Sequence, residues 1–233
     1  MSTSRPKISM GDLNKGLVLH TNLDSESYNS TTKRFTDKSA WANHGTSANA
    51  ASLTTDHKGQ INRAMMFNGS SDFINCGNNA SLGITNAITI SAWVYPTSVS
   101  VSQYILGKGA NAGAGYEIEM HSNGNITFNI RKADNSTYVK TDVYNVSSLI
   151  NTWFNVVGTY DGTTLRLYIN ATQQKTGSYV GTIYPSINNT DIGRRSIGGN
   201  FNGSIDEVRI YNRALSQNEI TLLYNSYRLK IRL

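Results

Sequence analysis

A chain of 233 residues is long enough for one large all-β domain with its own core, and its single cysteine, Cys76, excludes an intrachain disulfide framework. The net charge of +6 is scattered except at Arg194-Arg195 and the tail Arg228–Leu233; without a basic helix or a basic–aromatic signature, this argues against nucleic-acid binding and leaves acidic glycans or an anionic partner protein open. No apolar run is long enough to cross a membrane, and the polar start Met1–Lys7, with no apolar stretch after it, does not read as a signal peptide.

Residues 1–12 hold charges, Pro6 and Gly11 and show little periodicity, so they read as an N-terminal arm, either an exposed terminus or a lattice contact. The domain proper is expected over 13–227, with a tail at 228–233. Leu17, Leu19 and Leu23 alternate with polar residues and predict a first strand. A polar loop is expected from Ser25 to Thr36. Asp37–Thr46 is turn-rich, with Trp41 and His44 on either side of Asn43. Ala64–Gly69 and Asp72–Cys76 look like a hairpin across Asn68-Gly-Ser-Ser71, with Cys76 as a small buried residue.

Ile88, Ile90, Ala92 and Val94 define the inner face of a strand, with Trp93 and Tyr95 opposite, which suits an outer face that is covered or faces a ligand. Tyr104–Lys108 leads into the small-residue loop Gly109–Gly115, which lacks the context of a phosphate loop. Tyr116, Ile118 and Met120 alternate with Glu117 and Glu119. Across Asn123-Gly124, a hairpin signal, Ile126, Phe128 and Ile130 continue the pattern. Phe154, Val156 and Tyr160, then Asp161-Gly162, then Leu165, Leu167 and Ile169 repeat it. Many short alternating strands with Gly and Asn turns predict two packed antiparallel sheets. Ile205–Tyr211 reads as a last strand in which Asp206 shares the parity of Val208 and Ile210. One helix is expected at about 216–225, opened by a Ser216/Glu219 capping box and a Leu215/Ile220 staple.

Several of these segments, in order, carry a resemblance. Gly16–Asp24, Asp37–Thr46, Ala64–Phe73, Ile88–Pro96, Trp153–Gly162 and Ile205-Asp-Glu-Val-Arg-Ile-Tyr-Asn-Arg-Ala-Leu-Ser216 together resemble LamG-like domains of the concanavalin A-like lectin/glucanase type, over roughly residues 13–225. The resemblance implies an all-β concanavalin A-like jelly roll, a sandwich of two antiparallel sheets with one short C-terminal helix. That fold hosts lectins, glycosidases, adhesion modules and virion proteins, so it does not settle function.

Four expectations follow from the resemblance. A structural calcium ion would sit near the first and last strands, on Asp24 and Asp206, with Asn43 and carbonyls of the 37–45 loop. Glu117-Ile-Glu119 and His121 depart from the Glu-x-Asp-x-Glu strand of the glucanases, and solvent-facing acids are the expected reading, with no catalytic residue. Trp41, Trp93, Tyr95 and Tyr104, and beside them Tyr138, are candidates for stacking on a glycan. A leaderless chain of this kind resembles a phage virion protein. The function expected is therefore non-catalytic surface attachment, as an exposed capsid decoration or adhesion protein. A free or secreted lectin is the alternative and a glycoside hydrolase a further one. Capsid or other virion proteins, or cell-surface glycans, would be the partners, at a virion surface or outside cells. The arm and tail would allow strand addition to a neighbour and self-association into a homo-oligomer.

Overall fold

The computed structural model describes residues 9–109, 113–196 and 198–228. Residues 1–8 of the expected arm, most of the tail and the centre of the Gly109–Gly115 loop lie outside the described residues. Residues 10–12 of the arm do not stand apart. Met10–Asn14 is a short 3-10 helix, and Arg213 donates to the carbonyls of Asp12 at 3.0 Å and Lys15 at 2.7 Å.

The first half of the chain forms β1 (Leu17–Thr21), β2 (Tyr28–Asn29), β3 (Arg34–Phe35), β4 (Gly45–Ser47), β5 (Ser52–Thr54), β6 (Ala64–Asn68), β7 (Ile74–Asn75), β8 (Ile88–Pro96) and β9 (Gln103–Lys108). The second half forms β10 (Tyr116–Met120), β11 (Asn125–Arg131), β12 (Tyr138–Lys140), β13 (Tyr144–Asn145), β14 (Phe154–Tyr160), β15 (Thr164–Ile169), β16 (Thr172–Ser178), β17 (Thr190–Ile192), β18 (Asn202–Tyr211) and helix α1 (Gln217–Arg228). The strands make two antiparallel sheets. One has eight strands in the order β16-β15-β14-β8-β18-β6-β5, with β1 also on β18. The other has ten in the order β12-β11-β10-β9-β17-β7-β4-β3-β2, with β13 on β11.

The main core lies between the sheets. Ile88, Ile90, Ala92 and Val94 of β8 and Ile205, Val208 and Ile210 of β18 come from one side, and Ile118, Met120, Phe128 and Ile130 from the other. Gly158 of β14 is a point of close approach: a Cβ there would stand 2.4 Å from Phe128 Cγ. A second, smaller core covers the outer face of the eight-stranded sheet. There Ile220 and Leu223 of α1, with Leu13, pack on Trp93, Val157, Tyr168 and Tyr211. The capping box forms as expected. Ser216 N and Oγ donate to Glu219 Oε2 at 2.8 and 2.9 Å, and the helix then runs three residues beyond the expected end.

Three expectations are corrected. The Asn68–Ser71 turn does not close a hairpin, because β6 pairs with β18 in one sheet while β7 pairs with β17 in the other. The turn is an arch that lets Phe67 and Ile74 both enter the core. The 25–36 loop contains β2 and β3, which bury Phe35 against Tyr28 with ring centroids 4.7 Å apart. Asp206 does not share the face of Val208 and Ile210. Glu207 adopts φ +51, and the pairing with β8 slips between Asp206 and Arg209. This is a β-bulge, which inserts one residue and reverses the parity beyond it. Asp206 therefore faces outward, opposite Trp93.

Candidate functional site

The loop between β3 and β4 is assembled around Asp37. Its Oδ1 accepts from His20 N and Ser39 N at 2.8 and 2.9 Å, and its Oδ2 from Asn43 N at 2.8 Å. Asn43 then ties the loop to its neighbours. Its Nδ2 donates to Val18 O at 2.7 Å and Ser81 Oγ at 2.8 Å, and its Oδ1 accepts from Asn79 at 2.8 Å. Trp41 stands between these anchors with 53% of its surface exposed. The indole borders a cleft of about 380 Å³ that includes Ser81, Thr85, Asn86 and Asn212. It also borders a cleft of about 600 Å³ that includes Asn14, Lys38, Ser39 and again Asn212. Both lie in the size range of small-ligand pockets. An exposed indole on a pinned loop, flanked by amides and hydroxyls, offers an apolar face and hydrogen-bonding edges together.

A second polar site lies on the outward side of the β18 bulge. Asn22, Asp24, Asp56, His57, Arg63, Asp206 and Glu207 are among the residues lining a cavity of about 120 Å³. His57 Nδ1 is 3.1 Å from Asp206 Oδ2, and the imidazole stacks on Trp93 at 4.0 Å and 11°. Burial raises Asp206 well above the usual carboxylate range, and repulsion from Glu207 and Asp56 raises it further. One ligand atom each from Asp56, His57 and Asp206 can lie within 4.8 Å of the others. The fold family implies a calcium ion, and Asp24 and Asp206 do meet at this cavity. Asp24, however, accepts from Ser27 N at 2.8 Å and from Arg63 at 3.2 Å. Asn43 is committed elsewhere. The three groups present fit a divalent cation of mixed nitrogen and oxygen preference better than calcium's all-oxygen shell.

The third candidate lies on the outer face of the ten-stranded sheet. Glu117 and Glu119 point to the same side of β10, as their spacing requires, but Glu117 is not solvent-facing: it is 1% exposed. Asn129 Nδ2 donates to Glu117 Oε1 at 3.0 Å and to Glu119 Oε2 at 3.1 Å. Tyr104 OH donates to Glu119 at 3.0 Å, and Tyr138 OH to Glu117 at 3.4 Å. His121 Nδ1 is 3.5 Å from Glu119. Burial, aided by the Glu119 charge, pushes Glu117 up to about 7. Both acids are held by amide and phenol donors, an arrangement that builds a rigid sheet face.

The aromatic candidates separate by burial. Trp41 is exposed. Trp93 and Tyr104 are each 4% exposed and so present no face to a ligand. The Trp93 ring lies between His57 and Tyr224, and Tyr104 lies under Arg195 at 4.5 Å. Tyr95 is half-buried and meets Trp153, ring centroids 5.7 Å apart. Sequence reasoning missed Trp153 and the Asp56-His57 pair. The signals available were the adjacent Asp and His before the Gly59 turn, and a tryptophan at the entry to a strand that pairs with β8.

Residues 67–221 match the concanavalin A-like lectin/glucanases superfamily, and the chain belongs to it. No curated protein matches the chain in a sequence search. Among solved structures it is similar to the receptor binding domain of botulinum neurotoxin C/D mosaic serotype, with a TM-score of 0.74 and 17% identity over 93% of this chain and 52% of that one. It is similar to the binding domain of Paraclostridial Mosquitocidal Protein 1, with a TM-score of 0.73 and 18% identity over 92% and 53%. The ligand binding domain of botulinum neurotoxin serotype D, solved with N-acetylneuraminic acid, gives a TM-score of 0.72 and 18% identity over 95% and 53%. The chain spans about half the length of each of these structures, and at such identities the likeness shows a shared fold. It is a lectin-like jelly roll.

Proposed function

We propose that this chain is a non-catalytic attachment module that binds carbohydrate at the Trp41 rim. The observation that carries the reading is the exposed Trp41 indole, held by the Asp37-centred loop beside two clefts that share Asn212. Sugars present C–H faces to an indole and hydroxyls to Asn and Ser edges. Lys38 in the larger cleft and the net charge of +6 favour acidic saccharides. A similar structure holds N-acetylneuraminic acid. Botulinum neurotoxin type C, another protein of similar structure, depends for cell entry on interaction with two ganglioside molecules. A divalent cation on Asp56, His57 and Asp206 would neutralise the buried acids and tie the segment around Asp56 to β18. Capsid or other virion proteins as partners, with a virion surface as the setting, form the finer version of the same attachment role.

The test is a glycan array with the full chain, with and without chelator, repeated with Trp41→Ala. Acidic glycans are expected to bind the parent protein and not the variant, with folding unchanged because the side chain is exposed. Chelation is expected to lower the melting temperature and leave the Trp41 dependence intact. An empty array for the parent protein would overturn the carbohydrate reading. Capture of a capsid protein in its place would support the virion version.

A further inference from the structure

We propose a second saccharide-binding cleft, for a neutral sugar, on the outer face of the eight-stranded sheet, built by Tyr95 and Trp153. It rests on residues separate from the Trp41 rim. The two rings are half-buried, 5.7 Å apart and inclined at 55°, so they form an open corner with two apolar walls. The cleft they border has a volume of about 300 Å³, and Thr54, Thr55 and Ser204 complete its lining. None of the five lining residues carries a charge. Hydroxyls beside two aromatic faces suit an uncharged polyol and give no ion pair to a phosphate or carboxylate.

The platform is positioned from beneath. The Trp153 ring meets the His57 ring edge-on at 6.2 Å and 68°, and His57 is itself stacked on Trp93. Register sets the rest of the surface. Ser204 pairs with Tyr95 on one side and with Met66 on the other, and Met66 is 48% exposed. Helix α1 buries Trp93 but stops short of this row: Tyr95, two residues further along β8, keeps part of its surface.

The two clefts lie at opposite ends of the same pair of central strands. On β18, Ser204 borders this cleft, and Asn212, just past the strand, borders both Trp41 clefts. On β8, Tyr95 borders this cleft, and Ala87, just before the strand, borders one of the Trp41 clefts. Eight residues of strand place the two ends about 25 Å apart. The module would then be bivalent toward two kinds of sugar, and a glycan or glycan-coated surface engaging both ends would gain by effective concentration.

The test follows the indole N–H signals of the three tryptophans in nitrogen-edited NMR spectra of the full chain, assigned with Trp41→Phe and Trp153→Phe. Neutral methyl hexosides and methyl N-acetylhexosaminides are titrated in. The Trp153 signal is expected to shift saturably, in the parent and in Trp41→Phe alike. The shift should disappear in Thr55→Arg, which plugs the cleft from an exposed position without touching the core. A Trp153 signal that stays fixed across the sugar panel would overturn the proposal, and so would a shift that survives in Thr55→Arg. A response at Trp41 with none at Trp153 would retain the first site and remove the second. The reverse, a response at Trp153 with none at Trp41, supports the second site, since the Trp41 rim is read with acidic glycans.

Discussion

Glu117 shows how far one position can depart from its neighbours. Alternation along β10 places it beside Glu119, but sequence periodicity does not show that Asn129 and Tyr138 donate to it while Tyr104 holds Glu119. Because burial pushes Glu117 up to about 7, the native state holds a proton that the unfolded chain releases near its ordinary value. The associated stability is therefore complete at acid pH and is lost as pH rises toward 7. Glu117→Gln should remove this dependence. The parent should lose up to about 3 kcal/mol relative to the variant between roughly pH 4 and pH 8. Urea midpoints of the two proteins across that range check the prediction; parallel curves would contradict it. Asp206 eludes sequence reasoning for a different reason. A strict two-residue period has no way to anticipate that Glu207 takes a left-handed conformation, since that conformation is uncommon for a residue with a Cβ.

At the scale of elements, the sequence is most legible where local chemistry decides the outcome. The Asn123-Gly124 hairpin and the Ser216/Glu219 cap both form as read, because a turn and a helix start depend on residues close in sequence. The cap has further support from Arg213, which pairs with Glu219 at 2.7 Å. Ser216→Ala should cost about 1 kcal/mol, read as a lower melting temperature with unchanged ligand binding; no change would mean that Arg213 and the packing of α1 suffice. Legibility fails at Asn68–Ser71. Asn68 Oδ1 accepts from the amides of Ser70, Ser71 and Asp72, which makes a tight turn, and the same turn chemistry serves a hairpin or an arch. The distant edges of β18 and β17 decide between them, and no local residue encodes that choice.

For the whole molecule, the two-sheet jelly roll is legible because apolar alternation repeats in nearly every long strand and fixes one buried face per sheet. The outer face of the eight-stranded sheet reads in sequence only as covered or ligand-facing. In the structure α1 covers Trp93, Val157, Tyr168 and Tyr211, and the Tyr95–Trp153 end stays open. The candidate sites are less legible than the fold, since Trp41, Asp206 and Tyr95 acquire their neighbours from segments far away in the chain. Removing residues 215–233 should leave the main core intact and expose the second apolar surface. Self-association of the truncated chain is expected, measured by size-exclusion chromatography with light scattering. A truncated monomer that melts like the parent would mean that α1 is dispensable.

The stacking of His57 on Trp93 also gives the protein an internal optical probe. An imidazolium in face contact with an indole draws off excited-state electron density and dims its emission, whereas a neutral ring does so far less. Trp93 is buried, Trp41 is half open to water and Trp153 lies between them in exposure, so in Trp153→Phe the blue and red edges of the emission band report different places. Brightness at the blue edge would follow the His57–Trp93 stack and any ligand that disturbs it. The red edge would follow the Trp41 rim, so one unlabelled sample could report both ends of the molecule.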